Sequence, residues 1–478
     1  MLTALEVISH LILSIALGYY LMTTMQWYSY KIQRVLFHFY KPQWHFLFFI
    51  VPIMVYYLAG IWSLIYLYFA YLPWLVVWAR KLDKPLVFTP RVKRFFGFLI
   101  FALIFQDTLC LISPKCVNFG LILPIVASLL LSNMYEKILF RGFYNDAKEV
   151  LRKNRDLKII AITASYGKTS IKNFLYHILS QKFNCYHTPR SVNTLGGLVK
   201  DVNQSLPKDA QIYIAEAGAR ERGDIEKIAQ FLEPHVVVVG QIGPQHIEYF
   251  KTLENIRNTK MELISSPKLE QAFIHVSTNT KPSNGIKLFG DEIKEIQATL
   301  EGTRFKVVLD NKEYWFQTAL LGDFHAQNLL ACIHVARFFG MDIQSIQKAI
   351  SSLKPVPHRL EPMEAGGKFI LDDSFNGNRQ GMEASYRLAN LHNGRKVLVT
   401  PGIVESTKEE NEALAKVMNE VFDIVIITAS TNAQALLKWL KKPKVHLLKD
   451  KSRLEELLAK ETASGDLILF SNDAPSYV

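Results

Sequence analysis

The chain has 478 residues, is 49% hydrophobic and 12% aromatic, and carries a formal net charge of +12. That length accommodates two to four domains, and the apolar excess is concentrated before about Phe140. The four cysteines (Cys110, Cys116, Cys185 and Cys332) form no short metal-ligand spacing, and two lie in an apolar region, so no disulfide framework is expected and a reducing compartment is indicated. Much of the basic excess flanks apolar segments instead of forming a stripe interleaved with aromatics, which argues for a membrane and against nucleic acid.

From the N-terminus, Leu2 to Met25 is apolar apart from Glu6 and His10, and Trp44 to Trp78 contains no Asp, Glu, Lys or Arg. Phe95 to Ile112 and Val117 to Met134 are two further apolar runs. A membrane-spanning helix needs about 20 apolar residues, so residues 1–134 are expected to be transmembrane helices. The first segment has no basic start and no small-residue cleavage site, and reads as a retained anchor. The Trp44–Trp78 run is long for one span. Lys31, Arg34 and Lys41 precede it, and Arg80, Lys81, Lys84, Arg91, Lys93 and Arg94 follow it. Placing both basic groups on the cytoplasmic side requires a hairpin near Ala59-Gly60, hence five spans, with the remainder of the chain in the cytosol. Four spans would also deliver the remainder there, but would leave the first basic loop outside.

Residues 135–156 are charged and helix-patterned, and are expected to form a connector helix. The texture then becomes α/β. Leu157–Thr163, "QIYIAEAG" and "PHVVVVGQIG" are buried-strand candidates, while Ile171, Phe174, Leu175, Ile178 and Leu179 make one helix face. Strand–helix alternation implies a largely parallel sheet, with ligands collecting at the carboxyl ends of its strands. A second series, "KFILDDS", "RKVLVTPG", "FDIVIIT" and "DLILFSND", predicts a smaller Rossmann-like domain over 357–478, after a domain spanning 157–356. Pro355, Pro357 and His358-Arg359 mark the expected hinge.

"AITASYGKTS", residues 161–170, joins the first of these strands to a helix. A strand, a short loop and Gly167-Lys168-Thr169 opening a helix provide the context of a phosphate-binding loop. Backbone N–H groups and the helix N-terminus attract phosphate oxygens. Lys168 is then expected on the terminal phosphates and Thr169 on Mg²⁺. An ordinary turn with an exposed lysine is the plain alternative.

The loop resembles that of the Mur ligases, the ATP-dependent amino-acid ligases of bacterial cell-wall synthesis, and most of all their D-alanyl-D-alanine-adding branch. Ala161, Thr163, Ser165, Gly167, Lys168, Thr169, Ser170 and Lys172 fit the pattern Ala-x-Thr-Gly-Ser-x-Gly-Lys-Thr-Ser-x-Lys, and Ala164 replaces its glycine. "TPRSVNTLGG", "EAGARERGDI", "GQIGPQHIEYFKTLENIRNTKMELI", "LLGDFHAQNLLACIHVA", "HRLE", "LDDSFNGN", "TPGIVES" and "LFSNDAPSYV" resemble further stretches of the family in the same order, from about Ile159 to the end.

The resemblance implies roles for particular residues. Ser165, Gly167, Lys168, Thr169, Ser170, Asn328, Arg359 and Asp373 would contact ATP. Thr169, Glu216, His246 and Lys260 would serve the Mg²⁺ sites, with Lys260 a candidate for carbamylation into a carboxylate-like ligand. Lys168, His246, Lys260 and Arg359 would carry the catalysis. Asn193, Thr194, Ser374, Asn376 and Asn378 would face the substrates. His325 stands where the family has Asn or Gln, and Asp372 reads as a strand-end charge. Without the resemblance, a lone histidine or an exposed helix lysine would be read as structural.

The implied reaction joins D-alanyl-D-alanine to UDP-MurNAc-tripeptide. A carboxylate takes the γ-phosphoryl group of ATP, and the resulting acyl phosphate is displaced by the incoming amine. The apolar segments occupy the position where the soluble relatives hold the uridine nucleotide. They imply a multi-pass protein of the bacterial inner membrane with its catalytic domains in the cytosol, and make membrane-associated cell-wall enzymes candidate partners. Two other readings share the same motifs. One is an amide ligase acting on a lipid-linked or polymeric acceptor. The other is a non-catalytic nucleotide-binding membrane scaffold.

Overall fold

A computed structural model describes residues 4–37, 41–82, 84–112, 119–190, 192–244, 247–375, 377–403, 406–448 and 450–472. The chain divides into two compact units after Gly142.

The first unit is helical. Among the described residues four helices, Ala4–Trp27, Trp62–Arg80, Pro90–Ile112 and Ile122–Lys153, are long and apolar enough to cross a membrane; Pro42–Leu58 is apolar but shorter. The break expected near Ala59-Gly60 separates Pro42–Leu58 from Trp62–Arg80, and Gly60 supplies the left-handed turn with φ +53°. Small residues let helices approach closely: a Cβ on Gly18 would lie 2.9 Å from Leu99 Cδ2. Trp78 is buried among Tyr20, Trp44 and Phe48, with ring centroids 5.2–5.7 Å away. Large apolar side chains such as Phe69, Phe101, Leu123 and Leu130 point outward. Among the described residues His10 Nδ1 and Asp107 Oδ2 meet at 3.1 Å, both side chains enclosed. Cys110 departs from the reducing expectation, since it is disulfide-bonded while Cys185 and Cys332 are free thiols. It sits in the last turn of the Pro90–Ile112 helix, at the end opposite Arg91, Lys93 and Arg94.

The stretch expected as a connector is continuous with the last apolar helix, Ile122–Lys153, and the unit boundary falls inside it. Beyond that boundary the helix belongs to the second unit: Ala147 is buried in its core, and Lys148 pairs with Glu233 at 2.5 Å.

The second unit contains two parallel sheets. The central one has the order β2-β3-β1-β4-β5-β6, from Cys185–His187, Ile212–Glu216, Lys158–Thr163, Val236–Val239, Gln271–His275 and Ile286–Phe289. All its pairings are parallel. β1 lies between β3 and β4, so the chain reverses its direction of travel across the sheet there, and the carboxyl ends of these three strands open a crevice. The Lys168–Leu179 helix covers one face. Its expected apolar side, Ile171, Phe174, Leu175, Ile178 and Leu179, is buried, worth roughly 1.5–3 kcal/mol per side chain. A three-stranded antiparallel sheet, β7-β8-β9 (Ile293–Thr299, Gly302–Leu309, Lys312–Thr318), packs Phe305, Val307 and Phe316 onto the same core.

The C-terminal sheet has the order β10-β11-β15-β12-β13-β14, from Glu361–Ala365, Lys368–Asp373, Leu467–Ser471, Lys396–Thr400, Ile424–Ile427 and Lys444–Leu447. Only the β10–β11 pairing is antiparallel. The four strands expected in this half are β11, β12, β13 and β15.

Candidate active site at the carboxyl ends of the central strands

The phosphate-type loop leaves β1 at Thr163 and enters the helix at Lys168. Gly167 caps that helix with φ +79°, and a Cβ there would lie 2.3 Å from Asn328 Oδ1. Glycine is therefore required twice over, by conformation and by space. Ala164 is not among the residues with positive φ. Its methyl is buried against Gly240, where an added Cβ would come within 2.9 Å. The loop thus tolerates alanine because the glycine at the end of β4 yields the room. Three hydrogen bonds hold these segments together: Gly240 N to Thr163 O at 2.8 Å, Ser165 N to Gln241 O at 2.9 Å, and Ser165 Oγ to Gly243 O at 2.9 Å. The Tyr166 ring lies over Gly243, and burial raises its pKa. Ser170 is buried in the first helical turn.

The Lys168 ammonium bends back to the carbonyls of Ala164 at 2.8 Å and Ser165 at 3.3 Å. Burial lowers its pKa to about 8; the Glu216 charge opposes the shift and the Arg359 charge adds to it. Thr169 Oγ1 donates to Glu216 Oε2 at 2.9 Å, and Asn193 Nδ2 donates to Glu216 Oε1 at 3.0 Å. Glu216, the last residue of β3, is buried. Two hard oxygen donors therefore face each other beside a cationic loop. This suits Mg²⁺, which keeps several waters and takes the rest of its shell from one or two protein oxygens and phosphates. Among the described residues there is no cluster of three or more His, Cys, Asp or Glu that would instead form an all-protein cage.

Lys260 lies in the last turn of the Leu253–Met261 helix and is buried. Burial first, and the Lys168 charge second, hold its pKa well below the lysine range. The nearby Glu262 carboxylate is taken up by the backbone N–H groups of Gly223 and Glu226. His246 lies outside the described residues, as does Asn376.

From the C-terminal side, Arg359 donates to Phe375 O. Burial lowers its pKa, while the charges of Asp373 and Glu216 support the cation. Its neighbours His358 and Leu360 have φ of +62° and +53°. Such left-handed, non-glycine backbone costs about 1–3 kcal/mol per residue and is held by two side chains. His358 Nδ1 meets Asp372 Oδ2 at 2.7 Å, and Leu360 N donates to Asp373 Oδ1 at 3.2 Å. Asp372, read from sequence as a strand-end charge, therefore anchors the linker, and it also accepts from Ser374 N and Oγ. His325 is buried between Phe174 and Phe324, with Nδ1 unpartnered among the described residues. Burial and the Arg359 charge lower its pKa to about 3, so it is a neutral ring at any physiological pH.

Several expected substrate residues have other occupations. Thr194 caps the Leu195–Gln204 helix, accepting from Gly197 N at 3.3 Å. Asn378 caps the Arg379–Ala389 helix, accepting from Gly381 N at 2.9 Å. Ser374 is bonded to Asp372, and Asn193 orients Glu216. Two residues without an expected role also enter the site. Phe375 is 61% exposed beside Arg359, and Lys172 is buried behind Glu216. The available signal for Lys172 was its fit to the last lysine of the loop pattern, one helical turn after Lys168.

The family model "Mur ligase middle domain" matches residues 162–336. The UDP-N-acetylmuramoyl-tripeptide–D-alanyl-D-alanine ligase of Bacillus subtilis is 25% identical over 333 residues, covering 66% of this chain and 72% of that one. The Escherichia coli enzyme of the same name is 26% identical, with 53% and 60% covered. The structure of MurF ligase from Thermotoga maritima in complex with ADP matches at 26% identity and TM-score 0.62, over 70% of this chain and 80% of that one. MurF from Acinetobacter baumannii matches in fold at TM-score 0.63 and 23% identity, over 70% and 77%.

Proposed function

We propose that this chain, which carries a Mur ligase middle domain over residues 162–336, is an ATP-dependent ligase that adds D-alanyl-D-alanine to UDP-MurNAc-tripeptide in peptidoglycan precursor synthesis. The observation that carries the reading is the meeting of a phosphate-type loop, the Thr169–Glu216 oxygen pair and Arg359 at one crevice. ATP with Mg²⁺ supplies the phosphoryl group that turns a carboxylate into an acyl phosphate. The protein's own tasks are positioning and neutralising charge. Lys168 leaves its loop carbonyls to meet phosphate, which raises its affinity for a proton. Thr169 and Glu216 would hold the cation. Lys260, if carbamylated, would add an oxygen ligand, and the resemblance gives His246 a part in the same cation site. Arg359 brings a second cation from the C-terminal domain, and the strained linker around it serves as the hinge that lets that domain close and exclude water.

The four long apolar helices and their outward-facing Phe and Leu side chains support a multi-pass membrane protein. With Arg91, Lys93 and Arg94 on the cytoplasmic side, the Cys110 end of that helix faces the opposite, oxidising side, where a disulfide is stable. The same helices favour one second reading, a ligase whose acceptor is lipid-linked. Full-length protein in nanodiscs, given ATP, Mg²⁺, labelled D-alanyl-D-alanine and both UDP-MurNAc-tripeptide and a lipid-linked tripeptide as acceptors, decides between the two. Label entering UDP-MurNAc-tripeptide supports the main reading; label entering only a lipid-linked tripeptide supports the second.

A further inference from the structure

Lys172 is wholly buried on the loop helix, one turn beyond Lys168. An ammonium is retained in such a place only when its hydrogens are satisfied. Lys172 Nζ donates to Thr188 O at 2.8 Å and to Arg190 O, and lies 3.8 Å from Glu216 Oε2. Arg190 has φ +46°, a left-handed conformation that a non-glycine residue holds only under restraint. The turn that begins at these two carbonyls carries Asn193, whose amide holds Glu216 Oε1 and whose carbonyl accepts from Gly218 N at 2.7 Å. Thr188 Oγ1 in turn accepts from Glu216 N at 3.4 Å. The buried ammonium therefore ties three pieces of chain together, the loop helix, the turn after β2 and the end of β3. The carboxylate at their junction is gripped on both oxygens, by Thr169 and by Asn193.

We propose that Lys172 is a positioning residue for the cation site: by holding the Thr188 and Arg190 carbonyls it fixes the turn that presents Asn193 to Glu216, and so aims the carboxylate. The inference deepens the ligase reading, since it takes Glu216 and Thr169 as the cation's oxygen donors. Groups that orient a metal carboxylate through a hydrogen bond typically change metal affinity by about 10–100-fold when removed.

The test uses full-length protein in nanodiscs, wild type, K172M, N193A and the double variant. The first readout is amide hydrogen exchange of the nucleotide-free protein. K172M should speed exchange at Val192–Thr194 by about tenfold or more and leave β12 and β13 unchanged, with K172R restoring much of the protection. Unchanged exchange in K172M overturns the proposal. The second readout is Mn²⁺ titration with a non-hydrolysable ATP analogue. K172M and N193A should each weaken Mn²⁺ binding by about tenfold, and the double variant no further, because both act on one carboxylate. Losses that simply add would also overturn it. If K172M does not accumulate, K172L, which likewise lacks a donor, is read in the same way. Wild-type protein that binds neither Mn²⁺ nor nucleotide would defeat the ligase reading, while the exchange measurement would still decide the role of Lys172.

Discussion

Ala164 is the residue at which the loop departs from the pattern it resembles, and its environment explains why the departure is tolerated. Its φ is not positive, and its methyl fills the space over Gly240. A164G should therefore lower stability by about 1 kcal/mol, through the lost methyl contact and a looser loop, without raising turnover. Thermal melts and initial rates together check this. Lys168 gives a pH prediction. With a free-state pKa of about 8, it is charged below pH 8 and loses its proton above it. Bound phosphate favours the charged form, so nucleotide affinity should be level below pH 8 and weaken by up to about tenfold per pH unit above it. Calorimetric titration at pH 7 and pH 9 measures the difference; equal affinities would contradict the assignment. The identities of Lys168, Thr169 and Glu216 were legible because each stands at the end of a recognisable strand or the start of a helix. The role of Lys172 was not, because its partners Thr188, Arg190 and Glu216 are brought together only by the parallel pairing of β2, β3 and β1.

At the scale of elements, helix capping competes with the substrate role expected for Asn378. Its side chain already caps the Arg379–Ala389 helix, so N378A should cost roughly 0.5–2 kcal/mol. N378D keeps the cap and should retain both stability and turnover if capping is the main role. Stable N378D with lost turnover would restore the substrate assignment. The buried strands and the apolar face of the loop helix were readable because continuous Val/Ile runs and a 3.6-residue period leave clear traces. The β7-β8-β9 sheet was not anticipated. β7 alternates few apolar residues among Lys, Glu and Gln, and only the inward residues of β8 and β9 reach the core. The connector was expected as a separate helix, but one helix spans Ile122–Lys153: Pro124 falls in its first turn, where proline is tolerated, and Gly142 is a single interior glycine.

For the whole molecule, the boundary after Gly142 makes a specific claim about separability. A chain beginning at Phe143 keeps Ala147 in the core and the Lys148–Glu233 pair. It should be soluble and retain turnover within a few-fold, whereas a chain beginning after Lys153 should lose stability. Size-exclusion profiles and melts of the two fragments distinguish these outcomes. Equal behaviour would mean that the end of the helix adds nothing to the fold. One crevice is proposed to couple ATP cleavage to amide formation. Its most direct test is phosphate release by full-length protein with ATP, Mg²⁺ and UDP-MurNAc-tripeptide, with and without D-alanyl-D-alanine. Release should depend on both substrates, match the amide product one for one, and be abolished in K168A. ATP binding without turnover on any acceptor, or unchanged turnover in K168A, would contradict it.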